Sequence, residues 1–353
     1  MKKIINFNSE RNSAIEILRI IALLMIFFHH SVLHGGASFW GTHDFQDLVR
    51  ETLYHSGKLG VVLISGYCLT SSKFRWKKLI NLFLEIVFFT FLTYICGLFY
   101  NKTSFDPQEL KKILLPFSSY EYWFMSGYLL LFLLSPFINF GLDKLRKIDH
   151  LIFIIIGLLL CSIIPYFYKY STYTTTIIYF VVIFLIGAFF KRYPLIDLKI
   201  WKFVILVLSI ALFIFLNYLI VKNADNAETK KNINRLFYDT YNPLAILIGT
   251  GIFTFFTQLK PFSSKVINFI AYPMLEVYLV HDSNYIRPFI YKLVFETKTI
   301  PHSSTWALKF IGINFVKFLA VFVIALLLKI IYALTIGNMI NFVSRKIEPK
   351  ENQ

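Results

Sequence analysis

A 353-residue chain that is 57% hydrophobic and only 16% charged carries more apolar surface than one soluble core can absorb, which excludes an ordinary water-soluble domain. Its 36 Lys and Arg against 20 Asp and Glu make it strongly basic. The cations sit in short clusters between apolar runs, the pattern of cytoplasmic membrane loops, and this argues against nucleic acid as a partner.

A transmembrane helix needs roughly 20 apolar residues, and the first such run is 14–33. It is too long for the apolar region of a signal peptide and lacks a small-residue cleavage site, so it is expected to remain as a span. Further runs lie at 58–72, 79–100, 122–142, 151–168, 175–190, 200–221, 241–259, 266–286 and 306–336. The expectation is an all-α, polytopic transmembrane bundle of about ten spans in one membrane domain over 1–353, with a lipid bilayer as its solvent. The run at 58–72 is short and interrupted by Gly60 and Gly66, so it is read as tilted or broken. With both termini in the cytoplasm, the basic clusters alternate with near-neutral loops. Lys73, Arg75, Lys77 and Lys78 form the strongest inside marker. The longest polar stretch, 222–239, is then expected to be an outer loop, and no soluble domain is expected at either end. Cys68, Cys96 and Cys161 fall inside apolar runs without metal-ligand spacing and read as packing residues; no metal site is expected.

Ionisable groups are costly in hydrocarbon, and those found there tend to be functional. This filter selects Glu16, Arg19, His29, His30, Glu85, Glu276, His281, Lys317 and Lys329. Arg19 and His30 are eleven residues apart, which at 100° per residue puts them about 20° from the same face and about 16 Å apart along the axis. Glu16 lies one turn before Arg19 and can pair with it. A neutral His30 imidazole suits a general base, and Arg19 suits an anionic group or developing negative charge. The alternative is a buried polar pair that holds helices together. His281, beside Asp282, and Glu276 divide between the same two readings; Lys317 and Lys329 read more simply as snorkelling cations.

The residues also resemble a known family, the type 3 acyltransferases of bacterial membranes. Arg19 and His30 resemble its opening Arg-(ten residues)-His pattern, and VVLISGYCL is similar to its "ISGF" stretch. The family often follows that stretch with two arginines three apart; here Arg75 and Lys78 stand there, the second a departure that loses bidentate geometry. EYWFMSGYLLL, with Trp123, resembles the aromatic-led fourth span, and EVYLVH, ending at His281, resembles the "YLxH" near the C-terminal end. The resemblance covers nearly the whole chain. It implies an O-acyltransferase of the bacterial plasma membrane, moving an acyl group, usually acetyl, from cytoplasmic acyl-CoA to a hydroxyl of a surface or secreted glycan. On that implication His30 and Arg19 are catalytic, Arg75 and Lys78 meet the phosphates of the CoA, and His281, Trp123, Glu276 and His29 are candidates for the substrate site. A homo-oligomer is compatible with the sequence.

A glycan transporter or flippase shares the many spans and intramembrane charges, although no repeated halves are visible. A polysaccharide polymerase calls for a large basic outer loop, and 222–239 is short and mixed in charge. A non-catalytic scaffold has no need of Arg19 and His30 on one face.

Overall fold

Apolar runs of this length can satisfy their backbone in lipid only as helices. The computed structural model is helical wherever it has regular structure, with no strand among the described residues: 11–35, 45–101, 104–115, 122–164, 173–194, 243–293, 306–347 and a few single positions between 204 and 218. The first helix, α1 (Ser13–His34), starts at Asn12, whose side-chain oxygen accepts the Ala14 N–H at 3.1 Å. Its origin is pinned to a distant segment. The Ser13 hydroxyl donates to Asn268 at 3.0 Å and accepts the Ser264 N–H at 2.7 Å.

Next come α2 (Phe45–Leu69), α3 (Trp76–Asn101), the short α4 (Pro107–Leu114) and α5 (Trp123–Leu142). Pro136 lies inside α5 and cannot donate to the Phe132 carbonyl. The Ser135 hydroxyl donates to that carbonyl instead, at 2.7 Å, so the helix continues with no orphaned acceptor there. Beyond it, α6 (Lys147–Leu158) runs into a π-helical turn over Leu159–Ile163, and α7 (Tyr173–Arg192) follows. The Arg192 side chain ties three helix ends together, donating to Thr70 Oγ1 at 3.2 Å, to the Leu142 carbonyl at 3.3 Å and to Asp143 at 2.6 Å.

The C-terminal part holds α8 (Pro243–Thr257), α9 (Lys265–Ala271), α10 (Met274–His281) and a π-helical turn at Phe289–Leu293. The long α11 (Trp306–Tyr332) passes through a π-helical turn at Ala333–Gly337 into α12 (Asn338–Ile347). Large apolar side chains face outward along these helices, among them Phe99, Phe137, Phe140 and Leu308, as a lipid-facing surface requires.

Four helical segments among the described residues are long and apolar enough to cross a membrane: Ser13–Ser31, Trp76–Asn101, Trp123–Leu142 and Leu308–Val343. The expected run at 200–221 falls almost entirely outside the described residues, and the polar stretch 222–239 lies wholly outside them. Two local expectations are corrected. The run at 58–72, read as tilted or broken, is not broken: one continuous helix, Phe45–Leu69, covers most of it. The run at 266–286 is the interrupted one. Tyr272 and Pro273 separate α9 from α10, because proline lacks the N–H that would carry the helix through.

The α2 glycines serve packing instead of a break. A Cβ on Gly66 would lie 2.1 Å from the Phe184 carbonyl oxygen, and one on Gly187 would lie 2.2 Å from that of Leu63. Two backbones therefore touch where α2 crosses α7, and neither can yield as a flexible side chain would. Gly66→Ala and Gly187→Ala are each expected to destabilise the protein by about 1–3 kcal/mol, read as a lower Tm of the purified membrane protein. An unchanged Tm for both would contradict this contact.

Candidate active site

His30 and His281 come together across 251 residues of chain. His30 Nδ1 lies 3.2 Å from His281 Nε2. It also lies 3.4 Å from a carboxylate oxygen of Asp282. Both rings are buried. Their hydrogen-bond partners fix the protons. His281 Nδ1 is 2.7 Å from the Val277 carbonyl, which can only accept, so Nδ1 carries the hydrogen and Nε2 is left a lone pair. His30 Nδ1 then faces two acceptors, His281 Nε2 and Asp282, so it too is the protonated nitrogen. No described residue hydrogen-bonds His30 Nε2, which keeps its lone pair as a base must.

Arg287 closes the cluster. It donates from Nη2 to the Asp282 carbonyl at 2.8 Å, and the same nitrogen is 3.6 Å from the Asp282 carboxylate. Nη1 donates to His34 Nε2 at 3.3 Å, and the guanidinium also bonds Asn284. Two buried atoms here, Arg287 Nε and the Tyr291 hydroxyl, have no hydrogen-bond partner among the described residues. Buried polar atoms of this kind call for a water or a ligand as partner.

Around this lies a shell of rings. Phe27 packs on His281 and Tyr291, and Tyr54 stacks on His29 at 3.7 Å between centroids. The Lys58 ammonium sits 4.2 Å from the Tyr54 ring and 5.1 Å from that of Trp123. Next to His30, Ser31 bonds Asn314 and lies 3.5 Å from Lys317 Nζ.

The donor atoms of His30, His34 and Asp282 lie within 4.8 Å of one another and could together hold a metal ion. Arg287 already places a cation on two of the three, His34 and Asp282, which opposes a second one.

The remaining expected residues lie elsewhere. Arg19 pairs with Glu16 and stands eleven positions before His30 on α1, so it takes no part in the histidine cluster. Arg75 and Lys78 are exposed where α3 begins, and Lys78 lines a small cavity of about 110 Å³ with Lys73, Ser72 and Asn139. Glu276 is five residues before His281 on α10 and is bonded to Lys329. Lys329 and Lys317 are thus tied inside the bundle and do not snorkel to an interface. The sequence reading missed Arg287, His34, Tyr54 and Lys58. Asp282 and Arg287, charges at the close of an apolar run and next to a His, were the available signal.

The fold and this cluster define a helical membrane protein with a histidine–carboxylate site buried between helices. A family model described as an acyltransferase domain matches residues 12–334, nearly the whole chain, and the chain belongs to that family, the type 3 acyltransferases. It is therefore a multi-pass membrane acyltransferase in general class. No curated protein and no solved structure matches it.

The tautomers are directly measurable. Nitrogen-15 NMR of histidine-labelled protein is expected to show His30 and His281 both protonated at Nδ1, with assignments made by single His→Gln variants. Protonation of either ring at Nε2 alone would contradict the derived pattern.

Proposed function

We propose that this chain is an O-acyltransferase that carries an acyl group, acetyl in the first instance, from cytoplasmic acyl-CoA to a hydroxyl of a cell-surface or secreted glycan. One membrane domain does this in the bacterial plasma membrane, with about ten spans and both termini inside. The observation that carries the reading is His30, held by His281 and Asp282 so that Nε2 is presented as a base. Family membership supplies the reaction class.

In this reading the acceptor hydroxyl gives its proton to His30 Nε2 as its oxygen attacks the thioester carbonyl. The imidazolium formed is stabilised by the Asp282 carboxylate 3.4 Å from Nδ1. Negative charge on the carbonyl oxygen is met by the unpartnered Arg287 Nε and Tyr291 hydroxyl. The carbon–sulfur bond then breaks, the thiolate leaves as the second product, and His30 releases its proton to solvent. His281 acts through His30 as a positioning residue.

The acyl donor is assigned to the opposite end of α1. In this reading Arg75 and Lys78, exposed at the start of α3, meet the phosphates of CoA, and Arg19, on α1, orients the acyl arm. Trp123, His29 and Tyr54 give the acceptor side ring surfaces suited to a sugar. In this reading acceptor and donor approach from two sides.

The test is transfer of label from radiolabelled acetyl-CoA to the glycan fraction of the host, using purified protein in nanodiscs. His30→Ala is expected to lower transfer by about 10²–10⁴-fold while the fold is kept. Arg75→Ala should raise the KM for acetyl-CoA more than it lowers kcat. No transfer and no acetyl-CoA binding by a well-folded protein would overturn the reading in favour of a glycan transporter.

A further inference from the structure

A second polar cluster lies apart from the histidines. Lys329, on α11, bonds one oxygen of Glu276, on α10, and its Nζ is 3.9 Å from Glu85, on α3. The two carboxyls are themselves within hydrogen-bonding reach of each other. Glu276 is 0% exposed, and its second oxygen, Oε2, is buried without a hydrogen-bond donor among the described residues. Glu85 and Lys329 line a cavity of about 540 Å³, together with Asn81, Tyr272, Tyr332, Asn338 and Asn341. The Lys329 ammonium also sits 4.3 Å from the Tyr272 ring, and the Tyr332 hydroxyl donates to the Asn81 carbonyl at 3.0 Å. Arg11 acts on Tyr272 from beyond the start of α1.

The charges do not balance. Among the described residues, two ionised carboxylates would face the single ammonium in contact with them, which leaves one negative charge uncompensated among apolar helices, at a cost of several kcal/mol. Two carboxylates in contact also repel, and the usual resolution is that they hold one proton between them. That proton supplies the donor that Glu276 Oε2 lacks. It leaves one carboxylate for Lys329, and the cluster becomes neutral.

We infer that Glu85 and Glu276 form a proton-binding site, an acid–carboxylate pair that takes one proton from water through the cavity beside them. The site would hold its proton whatever group the chain transfers. Its placement links it to the histidines, because α10 carries Glu276 near one end and His281 at the other. Loss of the proton would set Glu276 against Glu85 and strain the helix that positions His281.

Infrared spectroscopy of the full chain in an ester-free detergent tests for that proton directly. Wild type at neutral pH should show the carbonyl stretch of a protonated carboxylic acid, shifted in heavy water and lost on raising the pH. Glu85→Gln and Glu276→Gln should each remove it, because the remaining carboxylate pairs with Lys329. A wild-type spectrum without the band, or a band that survives both substitutions, would overturn the inference, and neither result depends on any acyl donor or acceptor.

Discussion

Inside a bilayer a polar side chain has no water to fall back on, so each one must be answered by another part of the protein. The contact between His30 and His281 is the clearest expression of that constraint. His281 places one nitrogen on the Val277 carbonyl of its own helix and offers the other to His30. Asp282 and Arg287 then balance each other beside the pair. Remove any one partner and a buried group is left unanswered, at a cost well above the net value of an ordinary hydrogen bond. The same constraint that holds α1 against α10 thereby fixes which nitrogen of His30 is basic, so stability and chemistry are set by one set of contacts.

The scaffold around this contact follows the same logic. Helices approach to backbone distance where glycines allow it, at Gly66 and Gly187. A proline inside α5 is tolerated because Ser135 satisfies the carbonyl it abandons. Arg192 gathers the ends of three helices on the side away from the histidines. Two of the buried polar clusters lie one near each end of α10, with apolar packing around Phe27 and Leu279 between.

Much of this was legible in the sequence, for physical reasons. Long apolar runs have one structural solution in lipid, so helices at the start, at 79–100, at 122–142 and near the end were readable from length alone. Arg19 and His30 stood out because charge within an apolar run is rare, and Glu16 pairs with Arg19 as a one-turn spacing allows. Other features were hidden because they depend on contacts distant in the chain. Nothing local shows that Lys329 meets Glu276 and Glu85 instead of reaching for the interface, or that His30 finds His281. The glycines of α2 and the proline before α10 were both visible, but sequence could not say which marked a close approach and which a break. The shape of α2 is set by the helix it packs against, and that partner is 120 residues away.

The central claim is that one buried base activates an acceptor hydroxyl toward an acyl group supplied from the opposite side of the membrane. Proteoliposomes with the protein in a single orientation test it most directly, with labelled acetyl-CoA on one side and acceptor glycan on the other. The account predicts labelled glycan only when acetyl-CoA is on the side of Arg75 and Lys78, and no labelled glycan with His30→Ala. Equal labelling from either side, or transfer that requires donor and acceptor in the same compartment, would contradict it.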